Sequence, residues 1–146
     1  MIWSYGTYEL DDDPARVDVD AVWDFLSTEA YWGKSRTRPD FEAQLATAWR
    51  IIGAYETATG RLVGFARAIS DGVAYAYLSD VFVTPAARGA GLGKELVATT
   101  IDRGPGAHFR WSLHTSDAHG LYTQFGFAPP DDRYLERPGR PAGSMA

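Results

Sequence analysis

One run of residues, Val81–Val97 (VFVTPAARGAGLGKELV), constrains the fold more than any other part of the chain. It reads as a strand, a Pro, an Arg, glycines at the alternate positions 89, 91 and 93, and then a helix. Glycines spaced in this way let backbone N–H groups converge without interference from Cβ. The helix that follows adds unsatisfied first-turn amides and the positive end of its dipole. The turn is therefore suited to an anion, with Arg88 and Lys94 as adjoining cations. A strand that passes through such a turn into a helix returns to its sheet by a crossover, which breaks any simple antiparallel order at this point.

The rest of the chain supplies the sheet. Ile2 to Leu10 alternates loosely and predicts an opening strand that stops at Asp11-Asp12-Asp13-Pro14. Val19, Val22, Trp23, Leu26 and Ala30 share one helical face, with Asp18 placed to cap its start. Thr37 and Asp40 resemble a capping box for a second helix, whose apolar stripe is Phe41, Leu45 and Ala48. Strands are predicted at Arg50–Glu56 and Leu62–Ile69, and Asp71-Gly72 marks a hairpin into a third at Val73–Val83. A helix over Gly91–Arg103, a strand over Phe109–His114, a short helix over Ala118–Gln124 and a last strand around Arg133–Glu136 complete the pattern. This order predicts an α+β fold, a mixed central sheet with helices on both sides. One domain spans residues 1–137, and a Pro- and Gly-rich tail over 138–146 frays.

Composition removes several function classes. With no cysteine among 146 residues, thiolate nucleophiles, disulfides and Cys-based zinc sites are excluded, and the three histidines show no metal-ligand spacing, so no metal is expected. A net charge of −5 argues against a broad nucleic-acid surface. Four acids precede the first basic residue and no apolar core follows, so the N-terminal residues do not read as a signal peptide. The longest uncharged apolar stretch, Gly72–Ser79, is too short to span a bilayer. The expectation is a cytoplasmic protein that binds neither membrane nor nucleic acid, with a homodimer admitted.

Two familiar readings of the Gly-rich turn fail. A Walker P-loop requires Gly where Arg88 stands and Ser or Thr where Glu95 stands, and a dinucleotide fingerprint from Gly89 requires Gly at Lys94. What remains is R-x-x-G-x-G, formed by Arg88, Gly91 and Gly93 after Val83-Thr84-Pro85. With a second block, DAHGLYTQFGF (Asp117–Phe127), the chain resembles the GNAT superfamily of acetyl-CoA-dependent N-acetyltransferases over most of residues 1–137. The resemblance implies that the amides of Gly89, Ala90, Gly91, Leu92, Gly93 and Lys94, with Arg88, hold the pyrophosphate of acetyl-CoA. It also implies that Phe82 and Val83 pair their main chain with the pantetheine arm. Asp117 departs from the Asn usual in that family; it can cap the short helix, and any amide contact to the cosubstrate is in question.

Acetyl transfer to an amine poses two proton problems. An alkylamine has a pKa near 10, so only about one molecule in a thousand is nucleophilic at neutral pH, and the departing thiolate needs a proton. Tyr122 matches the Tyr of the family's second block and is the candidate partner of the thiolate. Asp80 precedes the V-x-P element where relatives often carry an acid; it is either a base, directly or through water, or a carboxylate on a solvated strand face. His119, three residues before Tyr122, is the other candidate base or a structural hydrogen-bonder. The oxyanion would be met by a main-chain N–H near Phe82 or Val83. The acceptor, expected to be a small amine, would lie against the loop around residues 30–38, where Tyr31 and Trp32 could wall a pocket and Arg36 could hold a carboxylate. The competing classes are a non-catalytic CoA-binding sensor or partner domain, and a phosphate-ligand enzyme that uses the same turn differently.

Overall fold

The computed structural model describes residues 1–30 and 35–141. They fall into two compact units, Met1–Ser116 and Asp117–Ala146. The first holds a six-stranded sheet with its strands in sequence order: β1 (Ile2–Tyr5), β2 (Tyr8–Asp11), β3 (Arg50–Glu56), β4 (Leu62–Ser70), β5 (Tyr75–Val83) and β6 (Arg110–Ser112). All neighbours are antiparallel except β5 and β6, which run parallel because α3 (Leu92–Ile101) carries the chain between them. The helices α1 (Val19–Thr28) and α2 (Arg38–Thr47) fill the gap between β2 and β3. This is the expected α+β class with a mixed sheet. In the second unit, α4 (His119–Thr123) is the regular element.

Both faces of the sheet are covered. On one, Ile51, Tyr55, Leu62, Phe65 and Phe82 pack against Val22, Phe25 and Leu26 of α1 and Phe41 of α2. Phe25 and Phe82 stack with centroids 4.0 Å apart and planes 11° from parallel. Burying each such ring contributes about 1.5–3 kcal/mol. On the other face, register pairs Ile52 with Ala66, Ala54 with Gly64 and Arg50 with Ala68, so β4 offers α3 a row of small residues, Gly64, Ala66 and Ala68. A Cβ added at Gly64 would sit 3.7 Å from Leu96 of α3. The caps form as the sequence predicts: the side chain of Asp18 accepts from the Ala21 amide, and that of Thr37 from the Asp40 amide.

Three elements differ from expectation. The opening segment is two strands, since Gly6, at φ +58°, turns the chain and pairs Tyr5 with Tyr8. Loose aromatic alternation on both sides of the Gly6-Thr7 turn hides it in the sequence. The strand predicted from Val73 begins at Tyr75, because the Asp71 carboxylate accepts the amides of Val73, Ala74 and Tyr75 and holds them in a turn. Those amides also hold the Asp71 carboxyl below its ordinary pKa. No strand forms over 133–136. Asp131 instead binds the backbone amide and the guanidinium of Arg133, which makes a turn.

Among the described residues two buried side-chain polar atoms lack a hydrogen-bond partner, Nε of Arg50 and the hydroxyl of Tyr55. The hydroxyl of Tyr55 is buried without a hydrogen-bond partner, and burial pushes its phenol up to about 12. An unpaired buried polar group costs about 1–3 kcal/mol. Tyr55→Phe is therefore expected to leave stability unchanged or raise it by up to about 1 kcal/mol, read as an upward shift of the urea midpoint. A clear fall would reveal a partner for the hydroxyl.

Among the described residues no helix is long and apolar enough to cross a membrane. Nor is any group of three or more His, Asp and Glu among them placed to hold a metal ion.

Candidate active site

The site begins with an irregularity in β5. Phe65 pairs with Phe82 and Arg67 with Ser79, so two residues, Asp80 and Val81, stand opposite the single residue Ala66. This is a β-bulge, and Asp80 carries it at φ +56°, the one non-glycine with positive φ among the described residues. Such a conformation costs about 1–2 kcal/mol for an L-residue, and Asp tolerates it better than most. On the other edge of β5, β6 pairs only with Tyr75–Tyr77. From Leu78 to Val83 no strand of the first unit lies along that edge. An edge left open next to a bulge offers main-chain donors and acceptors to an extended ligand. Phe82 contributes its backbone only, because its ring is in the core.

Beyond Val83 the chain makes a 3-10 turn at Pro85–Ala87 and enters the Gly-rich segment. Gly89 lies at φ +89°, and Gly91, at φ +80° and ψ +11°, is the N-cap of α3. A glycine there has no side chain to cap the helix, so the first-turn amides of Leu92, Gly93 and Lys94 receive no side-chain acceptor. Nothing lies within 4 Å of a Cβ built on Gly89, so the turn is open above. Below, the hydroxyl of Tyr5 donates to the carbonyl of Ala90 at 2.5 Å and props the turn against the first hairpin. Arg88 donates from Nε to the carbonyl of Val83, 3.0 Å away, and among the described residues neither Arg88 nor Lys94 makes an ion pair. Converging amides, a dipole end and unneutralised cations fit a pyrophosphate.

Asp80 is not a solvated carboxylate. Its side chain is 1% exposed and sits between two guanidiniums. Arg36 donates from Nη2 to Oδ1 at 2.8 Å and from Nη1 to Oδ2 at 2.9 Å, while Nε of Arg67 donates to Oδ2 at 2.9 Å. Nη1 of Arg36 also reaches Oε1 of Gln44 on α2, and Nη2 of Arg67 reaches the hydroxyl of Ser79. Burial alone would push the carboxyl up, but the hydrogen bonds from Arg36 and the charge of Arg67 outweigh it and hold the group below the usual carboxylate range. A carboxylate held in that way is a weak base. Arg36, expected to meet a substrate carboxylate, meets the carboxylate of Asp80.

The remaining expected residues are not among the described residues of the first unit. Tyr31 and Trp32 fall outside the described residues. Asp117, His119 and Tyr122 belong to the second unit. There Ala118, not Asp117, takes the N-cap position of α4. His119 and Tyr122 are three residues apart on this single short helix, and the Tyr122 ring is buried edge-on against Phe127 at 5.8 Å.

Sequence reasoning missed Arg67 and Tyr5. Arg67 stands in the apolar strand LVGFARAIS, and a charge inside such a run is almost never buried unless it is paired. That signal was available and points to a carboxylate on a neighbouring strand. Tyr5 carries no comparable signal, because its partner is a backbone carbonyl 85 residues away.

Comparison with known proteins identifies the family and the fold. A candidate acetyltransferase of the GNAT family from Xanthomonas campestris pv. campestris is 32% identical, with a TM-score of 0.85 over 97% of this chain and all of that one. A predicted acetyltransferase from Clostridium acetobutylicum, solved with acetyl-CoA, is 16% identical with a TM-score of 0.63 over 94% of this chain and 96% of that one, a likeness of fold. A candidate acetyltransferase from Gibberella zeae is 28% identical in an alignment of 108 residues that covers 63% of this chain. The match spans 61% of that relative's length. Residues 8–127 match the family described as Acetyltransferase (GNAT) family, and this chain belongs to it.

Proposed function

We propose that the protein transfers an acetyl group from acetyl-CoA directly to an amine, that of a small molecule. The observation that carries this reading is the left-handed N-cap at Gly91, with the open amides of Leu92–Lys94, following a strand along whose outer edge, among the described residues, no strand of the first unit lies from Leu78 to Val83. One end of such a cosubstrate is a pyrophosphate and the other an extended amide-bearing arm, the two partners that these features suit. The absence of cysteine agrees with direct transfer, since no cysteinyl acyl-enzyme is available.

Acetyl-CoA supplies an acyl group activated as a thioester. In this reading the amides of Gly89–Lys94 and the side chain of Arg88 bind its pyrophosphate. Main-chain groups of Phe82 and Val83 orient its arm, and an N–H of that edge meets the negative charge that develops on the carbonyl oxygen. The amine nitrogen forms a bond to the acyl carbon, the carbon–sulfur bond breaks, and the sulfur takes up a proton, for which the family resemblance implies the hydroxyl of Tyr122 as donor. Asp80, ionised and doubly paired, holds the bulge in shape instead of accepting a proton, which leaves His119 as the expected acceptor of the amine's proton.

The test is release of free thiol from acetyl-CoA across a panel of amines. Amine-dependent release supports the enzyme reading; tight CoA binding without release with any amine would favour a sensor or partner domain. Competition for the turn by ATP as well as CoA would favour a different phosphate ligand. Tyr122→Phe is expected to lower kcat by about ten- to a thousand-fold, with the affinity for CoA, measured by calorimetry, little changed. Unchanged turnover would remove Tyr122 from the chemistry.

A further inference from the structure

Among the described residues, the side chains bonded around Asp80 carry more positive than negative charge. Arg36 and Arg67 bring two guanidiniums, Asp80 one carboxylate, and Gln44 and Ser79 are neutral. The side chains of Arg67 and Asp80 are 5% and 1% exposed, and that of Arg36 is 12% exposed. A net charge that is not compensated is costly at so low an exposure.

Arg67 shows where the completing group would bind. Its Nε and Nη2 are occupied, but Nη1 meets no acceptor among the described residues. Nor is Nη1 one of the buried side-chain polar atoms that lack a partner, which among the described residues are Nε of Arg50 and the hydroxyl of Tyr55. Two N–H donors on a nearly buried guanidinium thus open onto accessible space, unpaired. The surroundings on that face are suited to an organic molecule. Cross-strand pairs place Arg67 beside Ser79 and Ile69 beside Tyr77, so an apolar row continues from the cation along the same face. Ile69 is half exposed, and the hydroxyl of Tyr77 bonds Nδ1 of His114 at 2.6 Å, which fixes the ring. In the other direction, Asp80 is two residues from Phe82, where the arm of the acyl donor is assigned.

We propose that the acceptor is an amine that also carries an oxyanion group, a carboxylate or a phosphate, held by Nη1 of Arg67 beside Arg36. This rests on the acyl-transfer reading given above. Binding of a carboxylate brings the cluster to two positive and two negative charges, and either oxyanion gives the open edge of the Arg67 guanidinium an acceptor. The body of the acceptor lies along Ile69 and Tyr77, and its amine points toward the bulge at Asp80–Val81.

The experiment uses matched amines that differ in one group: an amino acid and its carboxamide, and an aminoalkyl phosphate and the corresponding amino alcohol. Each is measured for binding by calorimetry and for turnover by thiol release with acetyl-CoA. The expected result is that an oxyanion-bearing member binds at least ten-fold more tightly than its neutral counterpart, with a KM lower in proportion. Preference confined to the carboxylate pair or to the phosphate pair identifies which oxyanion the site takes. Arg67→Lys, which keeps the charge and loses the fork, should reduce the preference to about two-fold; Arg67→Met provides the same comparison with the charge removed. Equal binding within both pairs, or a preference that survives both variants, overturns the inference whatever the turnover. Selective, Arg67-dependent binding of oxyanion amines without thiol release sustains the subsite and instead removes the acyl-transfer reading.

Discussion

Gly91→Trp abolishes CoA binding while the sheet remains folded: this is the expected result with the largest effect on function. Two independent observations combine at this position. The backbone of Gly91 sits at φ +80°, which L-residues avoid at a cost of about 1–2 kcal/mol, and a Cβ there would lie 2.6 Å from the Tyr5 hydroxyl. A side chain at Gly91 therefore displaces the brace on Ala90 and fills the space above the first-turn amides of α3. A rise of at least about a hundred-fold in Kd, equivalent to some 2.7 kcal/mol, is expected by calorimetry. Gly89→Ala is the control. Gly89 shares the positive φ, but nothing lies within 4 Å of its Cβ, so it should lose stability modestly and retain most of its affinity. Retained CoA affinity in Gly91→Trp would mean that the pyrophosphate binds elsewhere.

Asp80→Ala should be the most damaging single change to stability, with a loss of about 3–5 kcal/mol as two guanidiniums are left facing one another without their anion. Asp80→Gly, which accepts φ +56° without strain, and Asp80→Asn, which keeps the volume, separate backbone from charge. If charge dominates, all three fall together in urea unfolding at neutral pH. The pH dependence follows from the direction of the shift. The folded carboxyl titrates below its ordinary value of 3.8, so its stabilisation is complete above about pH 4 and is lost as the pH falls through the folded value. The stability gap between the wild type and Asp80→Asn should therefore be constant from pH 7 to about pH 5 and should narrow only at the acid end. A gap that closes near neutral pH would mean that the pair does not hold the group ionised.

How much of this was legible in the sequence depends on the range of the interaction that decides each feature. Strands β3 and β4 and helices α1 and α2 were legible because their patterns and caps are local; Asp18 and Thr37 announce their helices three residues ahead. The Gly-rich turn was legible for the same reason, since positive φ at Gly89 and Gly91 is a property of glycine itself. The bulge was not. It exists because Asp80 is drawn to Arg67 on the neighbouring strand and to Arg36, 44 residues away, and no local spacing encodes those meetings. Reading Asp80 as either a base or a solvated group followed from seeing one strand at a time. The last predicted strand failed for the opposite reason: a local contact, Asp131 to Arg133, overrode a weak strand pattern.

The brace from Tyr5 to Ala90 bears on how the protein matures. It closes over 85 residues, so the turn gains its support only after the first hairpin and α3 have come together. Contacts of such long separation are slow to form, because the entropy of closing the loop is lost before the contact repays it. An intermediate with β3, β4 and β5 paired but the first hairpin undocked would have the glycines in place without the prop beneath them. Affinity for CoA then serves as a clock for folding. In a refolding experiment it should recover after the sheet's circular dichroism, and the delay should lengthen when Tyr5 is replaced by Phe.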